Sequence, residues 1–254
     1  MTTSSLLGPR DPAPVEVLNP TGKAPLLLIC EHAGQAVPAR LSGLGITQDQ
    51  LDAHIGWDIG AAGVTRRLAT ALDAPAVLQT YSRLVIDCNR PPEAADSMPE
   101  VSDGHVIPGN RGLTVADQQA RIDEIFAPYQ AAVAALLDRA PFRATVSIHS
   151  FTPRMNGVDR PWDIGFLFRR DEATSTQIAR TLAAQVPGLT IGMNQPYQVD
   201  DASDWFVPRI GEARGLKHSL IEIRNDHIRS STGQALWADR LSYGLRPLIL
   251  EHLT

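Results

Sequence analysis

The sequence predicts a single α/β domain built on a central mixed, mostly parallel sheet between helical layers. Three observations carry this. Short apolar runs at residues 26–30, 84–86, 144–148 and 219–221 are each bounded by polar residues, the pattern of strands buried on both faces. Segments with the helical apolar period lie between them. No repeat, low-complexity tract or shift of composition divides the 254 residues, a length that supports one sizeable core. Residues 1–24 read as an N-terminal extension and 25–254 as the domain.

The first strand, Leu26 to Cys30, runs into Glu31-His32-Ala33-Gly34. Thr47 and Gln50 resemble a capping box, so residues 48–72 are expected to be helical despite several glycines. Strands are expected at 76–80 and 84–87. Residues 93–112 lose periodicity and collect Pro, Gly, Asp and Ser, and a loop of that length is more often functional than idle. A helix over 115–139 places Ile122, Ile125, Tyr129, Val133 and Leu136 on one face, with Pro128 as its kink. A strand then leads into His149-Ser150-Phe151-Thr152-Pro153, followed by a loop at 152–161 rich in Gly, Pro and Arg. Further elements are a strand at 164–168, a helix at 173–186, a helix at 204–213, a strand at 217–223 ending in Glu222-Ile223-Arg224, and a closing helix at 233–252.

The net charge of −5, with scattered basic residues and no Lys/Arg run, argues against nucleic acid as a partner. No apolar stretch approaches the roughly 20 residues that span a bilayer, and the first 16 residues carry no signal-peptide pattern, so the expectation is a cytoplasmic protein with no membrane partner. Cys30 and Cys88 each close an expected strand and read as reduced core residues. Trp57, Trp162, Trp205 and Trp237 read as packing, Trp162 also as a residue of the site's mouth; His105 reads as a solvated loop histidine.

In open α/β sheets the ligand crevice lies at the carboxyl ends of the strands. His32 and His149 stand at two such ends, and two histidines with a carboxylate and an open position make a zinc site. The carboxylate is Asp58 or Glu31. Asp58, four residues after His54, is preferred; Glu31 neighbours His32, and adjacent strand residues point to opposite faces, which suits it better to supporting a ligand than to being one. Arg90, with Asn89, offers a fork for a carboxylate, joined by Arg83 and Arg224 at other strand edges. In a net-acidic protein this cluster points to a small-molecule carboxylate substrate.

The ordered set Glu31-His32-Ala33-Gly34 with Pro38, His54-x-x-Trp57-Asp58-x-Gly60-Ala61, Ser82-Arg83-Leu84-Val85-x-Asp87-x-Asn89-Arg90, His149-Ser150-Phe151-Thr152-Pro153 and Glu222-Ile223-Arg224 resembles the N-formylglutamate amidohydrolase family over about residues 26–229. That family is related to zinc carboxypeptidases and aspartoacylases. The resemblance implies their α/β fold, a Zn²⁺ or other divalent ion on His32, His149 and a carboxylate, Glu222 as general base, Asn89 and Arg90 as a carboxylate clamp, and an arginine, Arg83, facing the oxyanion. Gln35 stands where the carboxypeptidases carry their acidic ligand, which leaves Asp58 and Glu31 both open. The implied reaction is hydrolysis of an N-acyl acidic amino acid such as N-formyl-L-glutamate to formate and glutamate. Two alternatives stand beside it: a zinc hydrolase of another N-acyl amino acid or short peptide, and a metal-free protein that only binds a carboxylate. Oligomeric state is not legible.

Overall fold

Strand β2 (Leu26–Cys30) shows why the sheet sits at the centre of the molecule: all five residues are buried, and they alternate between two cores. Leu26, Leu28 and Cys30 pack on one face of the sheet, Leu27 and Ile29 on the other. Each fully buried aliphatic side chain stabilises by about 1.5–3 kcal/mol relative to exposure, and this strand makes that gain on both faces. The computed structural model describes residues 5–250.

In chain order the remaining elements are β1 (Val15–Leu18), α1 (Gln48–Asp52), α2 (Ala61–Ala71), β3 (Ala76–Gln79), β4 (Val101–Ser102), β5 (His105–Val106), α3 (Val115–Arg121), α4 (Ala127–Arg139), β6 (Ala144–Phe151), β7 (Arg154–Met155), β8 (Val158–Asp159), β9 (Ile164–Leu167), α5 (Glu172–Gln185), β10 (Ile191–Met193), β11 (Lys217–Arg224) and α6 (Ser231–Leu250). Seven strands form one sheet in the order β1-β3-β2-β6-β11-β9-β10. The central four, β3-β2-β6-β11, are parallel, so their carboxyl ends share one edge. The antiparallel pairings are β1 with β3 and β9 with β11. Helices α2, α5 and α6 cover one face through Val64, Leu68, Ile178, Leu182, Trp237 and Leu241. The other face packs on Tyr129 and Val133 of α4, and on Phe206 and Val207. The result is one α/β domain with a mixed sheet between helical layers. No helix among the described residues is long and apolar enough to cross a membrane.

Four expectations change. Residues 15–18, expected outside the domain, form edge strand β1 against β3. Residues 48–72 are not one helix: α1 stops at Asp52 and α2 starts at Ala61. Between them Gly60 takes a φ of 86°, and a Cβ there would lie 2.2 Å from the Ile228 carbonyl oxygen, so the chain needs glycine to turn at this point. Residues 84–87 are a buried turn and not a strand. Leu84, Val85 and Ile86 are all buried, but the Leu84 and Val85 carbonyls accept from Asn110 Nδ2 and Arg121 Nη1, each at 2.8 Å, instead of from a neighbouring strand. Three apolar residues carry too little period to tell these cases apart. Residues 115–139 stay helical throughout but switch to π geometry at Ile122–Phe126, just before Pro128 in the first turn of α4. In addition, the helix expected at 204–213 is a π-helical segment, Phe206–Glu212. The aperiodic stretch at 93–112 contains the small hairpin β4–β5. The end of the closing helix expected at 251–252 lies outside the described residues.

Candidate active site

β2 and β6 are adjacent and parallel, which brings Glu31 and His32 beside Ser147 and His149 at the carboxyl edge. The chain after His32 is pressed against residues 80–82: a Cβ at Gly34 would lie 1.9 Å from the Thr80 carbonyl oxygen, and Ser82 N–H donates to Ala36 O at 2.8 Å. This contact carries the following turn, with Asp87, up to His32. The segment between α1 and α2 is tied to the same point, because Asp58 N–H donates to His32 O at 2.9 Å.

The side chains converge. His149 Nδ1 lies 2.9 Å and His32 Nδ1 3.4 Å from Asp58 Oδ2, and the two imidazoles meet edge to face at 4.6 Å. One potential ligand atom from each of His32, Asp58 and His149 falls within 4.8 Å of the others, and all three residues are buried. The far nitrogens are held by two further carboxylates: His32 Nε2 is 2.7 Å from Asp87 Oδ1, and His149 Nε2 is 3.0 Å from Glu31 Oε2. A carboxylate behind each ring keeps the proton on Nε2 and turns the Nδ1 lone pair inward. His32 Nδ1 is buried and makes no hydrogen bond. Two imidazole nitrogens and a carboxylate oxygen, one of them orphaned, form a donor set that fits Zn²⁺. Glu31 stands behind His149, bonded also to Ser147 Oγ, while Asp58 lies between the two rings.

Burial opposes ionisation of Asp58 and Asp87, yet the charges and hydrogen bonds of His32 and, for Asp87, Arg83 hold both well below the usual carboxylate range. Burial also opposes charge on His149, but its contacts with Asp58 and Glu31 raise its pKa well above the ordinary value. Burial brings His54 down to about 4.

This cluster opens on a cleft of about 660 Å³ whose walls include His32, His54, Arg83, His149, Tyr197 and Glu222. Glu222 is the register partner of His149 across β6 and β11 and is 5% exposed. Its Oε2 is buried without a hydrogen-bond partner. Burial pushes its pKa up to about 8 against the opposing pull of His149 and Arg83. Arg83 donates from Nη2 to Asp87 Oδ2 at 2.9 Å and approaches Asp58 Oδ1 at 3.5 Å.

The expected carboxylate clamp is arranged differently. The Asn89 carboxamide donates to Asp204 Oδ2 at 3.0 Å and accepts from the N–H groups of Trp205 and Phe206 at 3.2 and 2.8 Å, so it caps the 206–212 segment. Arg90 lines the cleft but is bonded to Asp96 and to the Ser203 carbonyl. Arg224 is not among the residues lining the cleft: it is held by Asp226 at 2.9 Å and Asp163 at 3.5 Å, with the Pro161 carbonyl also in reach. Trp162 does not line the cleft either, and His105 is exposed, 3.2 Å from Gln50. Cys30 and Cys88 are free thiols in opposite cores, and burial raises both. Sequence reasoning missed the support that Asp87 gives His32, and it passed over Tyr197 and Arg160. The aspartate in an Asp-x-Asn-Arg run pairs as easily with the nearby arginine, so only the fold reveals the histidine behind it.

The N-formylglutamate amidohydrolase family profile matches residues 24–229. The chain belongs to this family. Among solved structures, the gene product Atu2144 of Agrobacterium tumefaciens superposes with a TM-score of 0.89 at 33% identity, covering 97% of this chain and 98% of that one. The N-formylglutamate amidohydrolase of Ralstonia eutropha JMP134 superposes with a TM-score of 0.69 at 21% identity, covering 93% and 97%. The tripeptide-bound cell shape determinant Csd4 of Helicobacter pylori shares the fold at a TM-score of 0.52 and 12% identity, over 92% of this chain and 55% of that one. No curated protein sequence matches. As a member of the N-formylglutamate amidohydrolase family, the chain is a hydrolase of the amidohydrolase kind.

Proposed function

We propose that this amidohydrolase is metal-dependent and acts on N-formyl-L-glutamate, releasing formate and glutamate. The observation that carries the reading is the convergence of His32 Nδ1, His149 Nδ1 and Asp58 Oδ2 on one point, beside the unpartnered carboxylate of Glu222. Zn²⁺ held by these three residues would supply Lewis-acid polarisation of the amide carbonyl and a lowered pKa for water at neutral pH.

The chain's own residues do the rest. Glu222 Oε2 takes a proton from the attacking water and returns it to the leaving nitrogen. Burial favours its protonated form, while His149 and Arg83 favour the ionised one, so it can serve in both directions. Arg83, at the cleft wall, stabilises negative charge growing on the carbonyl oxygen. Asp87 and Glu31 keep the rings of His32 and His149 in the tautomer that faces inward.

Formate release from N-formyl-L-glutamate by purified protein, measured after metal stripping and after reloading with Zn²⁺, tests this. The expected result is loss on stripping and recovery on reloading. Full activity after exhaustive chelation overturns the metal dependence; no formate from the loaded protein overturns the substrate. The cleft exceeds what a formylated amino acid fills, which favours a longer N-acyl amino acid or short peptide as the second reading. A panel of acylated amino acids separates the two.

A further inference from the structure

The three arginines that the sequence nominates for the site are already paired with carboxylates: Arg83 with Asp87, Arg90 with Asp96, and Arg224 with Asp226 and Asp163. A fourth, Arg160, makes no ion pair among the described residues. Its Nη1 donates to Tyr197 Oη at 2.9 Å, and its Nη2 rests on the thioether sulfur of Met155, a weak acceptor. Its guanidinium sits over two rings, with centroids at 4.9 Å for Tyr197 and 5.9 Å for Phe151. The loop beneath is fixed, since Arg160 N–H donates to Pro153 O at 2.8 Å. Arg160 itself is not among the residues lining the cleft, but Tyr197 and Met155, its two hydrogen-bond partners, both line the cleft that holds His149 and Glu222.

This is a cation oriented by aromatic faces and left on weak neutral acceptors. An unpaired guanidinium gains most from a carboxylate, whose two oxygens match its fork. Tyr197 accepts from Arg160, so its own O–H is free to donate to the same anion. We propose that Arg160, with the Tyr197 hydroxyl beside it, anchors a carboxylate of the substrate and thereby sets the preference for acidic amino acids. The inference rests on the proposed function for the identity of the substrate, but the anion subsite stands on its own contacts. It moves the anchor from Asn89 and Arg90, both bonded within the protein, to the end of the loop at 152–161.

The test has two arms. In the first, kcat and KM are measured with N-formyl-L-glutamate and with N-formyl-L-glutamine on wild type, Arg160→Gln, Arg160→Lys, Tyr197→Phe and Arg90→Gln. Wild type should prefer the free acid by a large factor, because a site built to pair a charge rejects the amide. Arg160→Gln should raise KM for the acid by about tenfold to a hundredfold, with a smaller change in kcat, and should level the two substrates. Arg160→Lys retains the charge and should recover only part of the loss. Tyr197→Phe should cost about threefold to tenfold, the worth of one hydrogen bond. Preference kept in Arg160→Gln but lost in Arg90→Gln overturns the proposal.

The second arm needs no turnover. Calorimetric binding of glutarate and of its monoamide to the metal-free protein should favour glutarate in wild type and show no preference in Arg160→Gln. If wild type releases no formate but this difference holds, the substrate assignment fails and the anion subsite stands. Equal binding of glutarate by wild type and Arg160→Gln, or no binding by wild type, overturns the subsite. Melting temperatures of the variants near that of wild type exclude misfolding as the cause.

Discussion

On the wall of the cleft built by β2, β6 and β11, His32 Nδ1 and Glu222 Oε2 are buried without hydrogen-bond partners. On another wall, built by residues 89–90 and 203–207, the Asn89 carboxamide and both oxygens of Asp204 are paired within the protein. Both walls are made of the residue types that populate active sites, and the sequence nominates both. An unmatched buried polar group costs about 1–3 kcal/mol, so the first wall carries a deficit that a bound ion or substrate relieves, and the second carries none. Three of the buried acids follow the same division, while Glu222, on the first wall, is pushed up to about 8 by burial. Asp58 and Asp87 face histidines and Arg83, which hold them ionised, whereas Asp204 is met by neutral dipoles and burial raises it to about 7.

The largest effect should come from the first wall. His149→Ala and Asp58→Ala should each lose stoichiometric metal and lower kcat/KM by several kcal/mol of transition-state stabilisation, roughly a thousandfold. Glu31→Gln should keep the metal and weaken its affinity by only about tenfold to a hundredfold, as expected for a group behind a ligand. Metal analysis beside the kinetics decides the pair: equal loss in Glu31→Gln and Asp58→Ala breaks the assignment of Asp58 between the rings. Glu222→Gln comes next. It should retain metal while turnover drops about a hundredfold to ten-thousandfold, and loss of the ion in this variant would move Glu222 into the coordination sphere.

How much of this was legible in the sequence depended on whether the signal was local. Polar residues near the carboxyl ends of apolar strands were, because the loss of apolar character is written in adjacent residues; His32 follows β2, while His149 and Glu222 lie inside β6 and β11, two residues before their ends. The i, i+4 spacing of His54 and Asp58 pointed toward Asp58 through a helix that does not exist. Asp58 sits in the break before α2, placed by its N–H to His32 O and by the turn at Gly60. The buried turn at 84–87 resembles a strand in sequence, because the partners that make it a turn, Asn110 and Arg121, come from distant residues. Arg224 stands at a strand edge, the feature that nominates it, but it is held by Asp163 and Asp226 and does not line the cleft.

The second wall should respond in stability more than in catalysis. Asn89→Ala strips the N–H groups of Trp205 and Phe206 of their side-chain acceptor and leaves Asp204 with only the Val207 N–H. A loss of about 1–3 kcal/mol is expected, which lowers Tm by roughly 2–4 °C per kcal/mol for a domain of this size. KM should change little. A KM effect at wild-type Tm would restore Asn89 to substrate binding and erase the contrast between the walls.

The last effect is a dependence on pH. Asp204 ionises near 3.8 in the unfolded chain and near 7 in the folded protein, where burial outweighs the hydrogen bonds from Val207 and Asn89. Between these values the folded state binds more protons than the unfolded one, so this residue makes the protein less stable as pH rises through that window. Asp204→Asn cannot ionise. It also exchanges one good hydrogen bond for a mismatch with the Asn89 amide, at a cost of about 1 kcal/mol, so it should melt below wild type near pH 4. As pH rises the gap should close in the variant's favour, and it should level off above about 7. Thermal melts of the two proteins across this range, with the metal removed, provide the measurement. A gap that does not change with pH would mean that Asp204 is ionised throughout. The wall around it would then need a cation close to Asp204, and the distinction between a saturated wall and an unsaturated one would no longer rest on its buried acid.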